Sequence, residues 1–321
     1  MKLRSIAVTA GLVVFGFGLA AHAAWPERPI KIVAPYVAGG LTDTTARITA
    51  QWLSTTLKLN AIVENRTGAN GAIAADFVAR APADGYTFFM SSSPPLMIVP
   101  HMQKVDYDPF KNFVPVSIIN SGYFAIAVNP TFPSKTLPEL LAYAKQETNK
   151  LAFATGGKGD TGHLAMSLLL KRAGVVMTHV PYKGSSAAAA DVMAGHVPVY
   201  VGTLSDALEY HKSGKLKIVG ISSLKRLSDL PELATIAEQG FPGYTITAWN
   251  GLLAPVGTPK AVIATLAEAL KTACRDPGFL ARFQAHSVET LCTSPEAFSE
   301  RMKTDWVMWG DAVKASGVEL Q

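Results

Sequence analysis

The chain has 321 residues, 29 Lys and Arg against 24 Asp and Glu for a formal charge of +5, and only two cysteines. Its basic residues are scattered rather than clustered, which argues against a nucleic-acid footprint. Two cysteines with no CxxC and no Cys/His cluster give no zinc or redox framework.

Lys2 and Arg4 precede an apolar run over residues 6–21, which ends in Ala21-His22-Ala23. A charged start, an apolar centre and a small-x-small site form the layout of a secretory signal peptide, here residues 1–23. Sixteen residues loosened by Gly11, Gly16 and Gly18 are short for a membrane span, which needs about 20. Removal would lower the charge from +5 to +3 and leave about 298 residues, enough for two domains. In an oxidising compartment Cys274 and Cys292 read first as a disulfide, with two buried thiols as the alternative.

The remaining sequence alternates strand-like runs with helical patterns, which predicts an α/β fold with parallel sheets. A strand over 29–35 leads through Ala38-Gly39-Gly40 into a helix beginning near Thr42 or Asp43, with Ala46, Ala50, Leu53 and Leu57 on one face. A strand over 61–64, the loop 68–71, a helix through Arg80 and a strand over 86–91 follow. Residues 116–128 read as two extended pieces joined near Ser121-Gly122. Thr136-Leu-Pro-Glu139 then starts a helix as a capping box. A second series places strands over 151–155, 178–182, 197–201 and 217–222, with helices over 163–173 and 187–193. Thr258-Pro259 and Ser294-Pro295 each read as a cap followed by proline at the first helical position.

The extended crossings near 116–128 and 241–253 suggest two lobes joined by two strands, a two-domain α/β hinge architecture with its cleft at the C-terminal ends of the parallel strands. The expected division is residues 24–122 with 248–321 as one domain, including the C-terminal helices, and 123–247 as the other.

Gly157-Lys-Gly159-Asp-Thr-Gly162 matches G-x-G-x-x-G, but no Asp or Glu occurs from His163 through Ala190 to hold a ribose. A P-loop fails for want of Gly-Lys-Ser/Thr, and no G-x-S-x-G, H-E-x-x-H or S-x-x-K set marks an enzyme. What the glycines do offer is backbone N–H groups at a helix start, at Thr155–Thr161 and again at Ala38–Asp43, where an anion is favoured. Ser91-Ser92-Ser93 ends a strand and can place a hydroxyl in the cleft. His163 is in reach of a ligand or is structural, Asp43, Asp160 and Asp206 suit helix caps, and Trp249 suits hinge packing.

Seven stretches, in order along the chain, carry a resemblance: Trp25-Pro-Glu-Arg-Pro-Ile30, Pro35-Tyr-Val-Ala-Gly-Gly-Leu-Thr-Asp43, Val63-Glu-Asn-Arg-Thr-Gly-Ala-Asn-Gly71, Ala83-Asp-Gly-Tyr-Thr87, His179-Val-Pro-Tyr-Lys-Gly184, Ser213-Gly-Lys-Leu216 and Trp249-Asn-Gly-Leu-Leu-Ala-Pro255. The chain resembles the Bug-type solute-binding receptors of tripartite tricarboxylate transporters. That resemblance implies a periplasmic protein of type II-like periplasmic-binding-protein fold, two α/β lobes closing on one small carboxylate for membrane transporter subunits, without catalysis, cofactor or metal; a monomer is expected, although the sequence does not fix the oligomeric state. It places ligand contacts in the turn from Tyr36 to Asp43 (Ala38, Gly39, Gly40 and Thr42 included) and at Ser91 and Ser92. It adds the loop holding Thr155, Gly157, Gly159, Asp160, Thr161 and His163, and the loop holding Thr203 and Asp206. The family pattern has Ser or Thr where Asp160 stands, and Asp-x-Leu-Pro-Ser where this chain has Gly202-Thr-Leu-Ser-Asp206. An acid pointing inward there disfavours a second ligand carboxylate. A sensor kinase in place of the transporter, or a periplasmic enzyme using the same cleft, are the competing readings.

Overall fold

The computed structural model describes residues 25–146, 151–284 and 288–317; the expected leader and its cleavage site lie outside them. The first half begins as successive strand–helix units: β1 (Ile30–Ala34), α1 (Leu41–Thr56), β2 (Ala61–Asn65), α2 (Ala72–Ala79) and β3 (Thr87–Ser92). The strands β2, β1 and β3 run parallel in that order. Parallel strands covered on both faces need continuous apolar runs, and Ile30, Ile32, Phe88, Phe89 and Met90 are all fully buried. The expected stripe of α1 holds for Ala46, Ala50 and Leu53, whereas Leu57 caps the helix. A π-helical turn over Pro94–Ile98 runs into the short α3 (Val99–Met102).

The next strand differs from expectation. β4 (Phe113–Val128) is one 16-residue strand, not two pieces. Its first part pairs antiparallel with β9 (Thr247–Pro255) as far as Tyr123, and at Phe124 the partners become β7 (Val199–Thr203) and, from Ala125, β8 (Lys217–Ile221). A single strand thus serves two half-sheets, changing partners between Tyr123 and Phe124, just past the Ser121-Gly122 step that reads as a break in sequence.

The second half comprises α4 (Leu137–Gln146), β5 (Ala152–Thr155), α5 (Thr161–Ala173), β6 (Thr178–Pro181), α6 (Ser185–Met193), β7, α7 (Leu204–Lys212) and β8. β7, β5 and β6 are parallel neighbours. The sheet is mixed where β4 and β9 run against both parallel sets. The chain then closes with α8 (Lys260–Ala273), α9 (Pro277–Gln284), β10 (Glu289–Thr290) and α10 (Pro295–Ser316). Ser294 caps α10 as its sequence predicts, accepting from the Ala297 N–H. At α8 the cap is Pro259; Thr258 instead donates its hydroxyl to the Pro255 carbonyl, one residue out of register with the sequence reading. Cys274, which caps α8, is joined to Cys292 in a disulfide.

Among the described residues, the buried apolar side chains form three clusters. One lies under α1, α8 and α9 in the first half, and one under α6 and α7 in the second. The third spans both, running from Val33 and Phe89 through Phe298, Met302 and Trp309 of α10 to Leu164, Leu169 and Val201. The crossing strands are tied at one residue. Ser222 accepts from the Phe124 N–H (2.8 Å) and donates its hydroxyl to the Ile246 carbonyl, while its own N–H and C=O bond the same two residues.

Candidate ligand-binding cleft

Between the halves, where β4 changes partners, lies a cavity of about 380 Å³, within the size range of small-molecule sites. Four helices begin at its wall: α1 with Leu41 and Thr42, α5 with Thr161 and Gly162, α6 with Ser185, and α7 with Ser205 after its cap Thr203. The first N–H groups of a helix have no intrahelical acceptor and lie at the positive end of its dipole. Among the described residues the lining carries no Lys, Arg or His, and its charged member is Asp160. The floor is formed by Gly122, Tyr123 and Phe124 of β4 and Ala248, Trp249 and Asn250 of β9, with Pro94 and Asn70 at the first-half wall.

Each turn is fixed by hydrogen bonds among residues of the cavity wall and side chains outside it. In the first half, the buried Asp43 carboxylate accepts from the Gly39 N–H (2.9 Å), from Asn65 (2.8 Å) and from two nitrogens of Arg47 (3.0 Å each). Burial works against its charge, but these hydrogen bonds outweigh it and hold the carboxyl below its usual value. Thr42 donates to Asn250 Oδ1 (2.6 Å), Asn250 donates to Asn120 (2.9 Å) and Asn120 to Thr45 (2.8 Å), a buried polar chain that seats α1 on the two central strands. Ser92 donates to the Tyr36 hydroxyl (3.2 Å), and burial pushes that phenol up to about 12.

In the second half, His163 Nδ1 accepts from the Gly159 N–H (3.0 Å) and its ring stacks on His179 at 3.7 Å. His179 Nε2 in turn hydrogen-bonds Thr155 Oγ1 (2.9 Å). Burial holds both imidazoles down at about 4. Asp160 caps α5 by accepting from the His163 N–H (2.7 Å), and burial pushes its carboxyl up to about 6 against the pull of that bond. Gly162 matters for contact: a Cβ there would come within 2.9 Å of the Val201 carbonyl, so its absence lets α5 start hard against β7.

Of the sixteen residues singled out in sequence, Tyr36, Thr42, Ser92, Asp160, Thr161 and Thr203 line the cavity. Ala38, Gly39 and Gly40 form the exposed rim of the first turn, and Asp206 is exposed on α7. Ser91 turns its hydroxyl to the Ser92 carbonyl. Asp43, Thr155 and His163 face inward to hold the turns, and Gly157 and Gly159 supply the loop that Thr155 and His163 fasten. Trp249 packs edge-on against Phe298, donates to Asp305 (2.8 Å) and also forms part of the cavity floor. Sequence reasoning missed Asn70, Ser185, Ser205 and Asn250. Ser185 had a signal, because Pro181 to Ser185 repeats the strand–glycine–helix construction of the other two turns.

Residues 45–318 match the family described as tripartite tricarboxylate transporter family receptor. The chain belongs to that receptor family. Protein BugT of Bordetella pertussis is 30% identical across the full length of both chains. Among solved structures, an R. palustris protein with adipate is 30% identical, with a TM-score of 0.81 over 92% of this chain and 100% of its own. MatC from Rhodopseudomonas palustris with bound malate is 28% identical, with a TM-score of 0.76 over 90% and 100%. As a member of the receptor family the chain is a periplasmic solute-binding protein of the transport system, not an enzyme, and its α/β architecture is that of periplasmic binding proteins.

Proposed function

We propose that the cleft captures a small organic acid and that the loaded protein delivers it to membrane subunits of a tripartite tricarboxylate-type transporter. The observation that carries this is the convergence of four helix N-termini on one small cavity with no cationic side chain in its lining. Such a wall recognises an anion through backbone N–H groups and dipoles, and each charged hydrogen bond it makes contributes about 1.5–3 kcal/mol. Adipate and malate in the relatives' structures support an acid as the ligand. Residues 24–122 with 248–321 and residues 123–247 act as two lobes that close on it, hinged where β4 and the strand entering β9 meet Ser222.

Calorimetry and thermal shift against mono-, di- and tricarboxylates, aromatic acids, amides and sugars test this reading. At about 100 times Kd a true ligand stabilises the protein by about 2.7 kcal/mol. Binding of sugars or cations alone, with no acid bound, refutes it.

A further inference from the structure

Asp160 is a second organising charge of the cleft, and the inference drawn from it rests on the acid-binding reading above. Its carboxylate lies at the cavity wall, accepts from the His163 N–H at 2.7 Å and has uncharged neighbours in Thr155 and the Gly156–Gly157 backbone. Space around it is tight. A Cβ on Gly156 would come within 3.1 Å of both Asp160 Oδ2 and the Ser185 nitrogen, so the carboxylate sits between the starts of α5 and α6. The contrast with Asp43 is instructive, because Asp43 is neutralised by a two-point contact with Arg47 and lies outside the cavity. No cationic side chain performs that office for Asp160 in the lining of the cleft.

The second half therefore presents an anion of its own where its α5 terminus would otherwise attract one. A ligand carboxylate can use the N–H groups of the remaining helix starts, but a second carboxylate brought against this wall meets a like charge in a partly dry pocket. A ligand N–H meets an acceptor there, and an ammonium meets a counter-charge. We propose that Asp160 makes the cleft select acids that carry one carboxylate and, on the same small molecule, an N–H donor such as an amide or ammonium group, over the corresponding dicarboxylates.

Calorimetry on the mature chain with length-matched sets tests this: adipate, its monoamide and 6-aminohexanoate; terephthalate, 4-carbamoylbenzoate and 4-(aminomethyl)benzoate. Near pH 7.5 the donor-bearing members of at least one set are expected to bind about tenfold or more tighter than their dicarboxylate. Asp160→Asn, which keeps a side-chain oxygen to cap α5, is expected to bring the two to within about threefold. Asp160→Ser, another good cap, serves the same purpose if the Asn variant fails to fold. Protonation supplies a second readout. Dicarboxylate affinity should rise from about pH 8 to 6 more steeply in the natural protein than in Asp160→Asn, since binding then draws a proton onto Asp160. The charged and titrating groups nearby are Lys158 in the same loop, His163 and His179 behind it, and Tyr200 and Asp206 on the β7–α7 side; all are common to both proteins. If the natural protein prefers dicarboxylates, or the variant leaves the preference unchanged, this inference is overturned while the acid-binding cleft stands. If no acid binds at all, both fall.

Discussion

At the scale of single residues, the site depends on side chains that never reach the ligand. Asn120 is the centre of the chain that joins Thr42 and Asn250 to Thr45, and it is fully buried. Removing it leaves the Asn250 amide without its acceptor and Thr45 without its donor, so Asn120→Ala is expected to lower stability by about 1–3 kcal/mol. Because the same chain seats the first turn of α1, ligand affinity should fall too, which denaturant unfolding and calorimetry together would show. An unchanged affinity would mean that α1 is held by its packing alone. This network also shows what sequence could not reveal. Asn120 and Asn250 are 130 positions apart, and only the pairing of β4 with β9 sets them side by side. Asp43, Thr155 and His163 were legible as members of the right turns, but not as residues facing away from the cavity. The glycine-rich pattern identifies a turn and a helix start; which side chain of that turn looks out depends on how the helix settles on its strand, as Gly162 against Val201 illustrates.

Among elements, the strand–turn–helix units were the most legible, because a buried parallel strand is a continuous apolar run and its turn needs glycine. The helix α7 was legible only as a start near Asp206, since Leu204–Lys212 is short and half polar; its cap is Thr203, with Asp206 in the first turn. The loop between β5 and α5 carries a pH dependence. His163 and His179 are held at about 4, by burial first and by nearby positive charge second, whereas an unfolded imidazole titrates near about 6.5. Between those values the unfolded chain binds more protons, so their contribution to stability is complete above about 6.5 and is lost as pH falls toward 4. Asp160, raised to about 6, takes up its proton earlier in the folded state and offsets part of that loss. Melting temperature is expected to drop between about pH 7 and 4.5, less steeply in His163→Gln and more steeply in Asp160→Asn. Parallel profiles in all three proteins would contradict this assignment. The disulfide belongs to a different element, the end of α8. Cys274 and Cys292 are 18 positions apart, and a loop of that size is worth roughly 3 kcal/mol in the chain-entropy model. Replacing both by Ser should lower stability by up to that amount and leave binding intact, because neither residue lines the cleft.

On the scale of the whole molecule, the two halves are less independent than two crossing strands imply. A sequence in which two βα series flank extended crossings reads as two bodies on a hinge, and the division of the sheet at Phe124 fits that reading. The apolar cluster behind the cleft does not divide with it. Phe298, Met302 and Trp309 of α10 pack with residues of both halves, and Tyr244, on the way back to β9, donates to the Ala165 carbonyl of α5 at 2.8 Å. Under the two-lobe closure proposed above, opening of the cleft would pivot about this shared core, with Ser222 bonded to both crossings on the sheet side. Unfolding one half would strip apolar cover from the other. Calorimetric melting of the ligand-free protein is therefore expected to show one transition, with van't Hoff and calorimetric enthalpies in agreement. Trp309, fully buried in that core, gives the decisive variant: Trp309→Ala should cost about 3–5 kcal/mol and shift the whole transition downward, since its loss weakens both halves together. Two resolved transitions, only one of which moves in Trp309→Ala, would show instead that the halves fold separately and that α10 belongs to one of them.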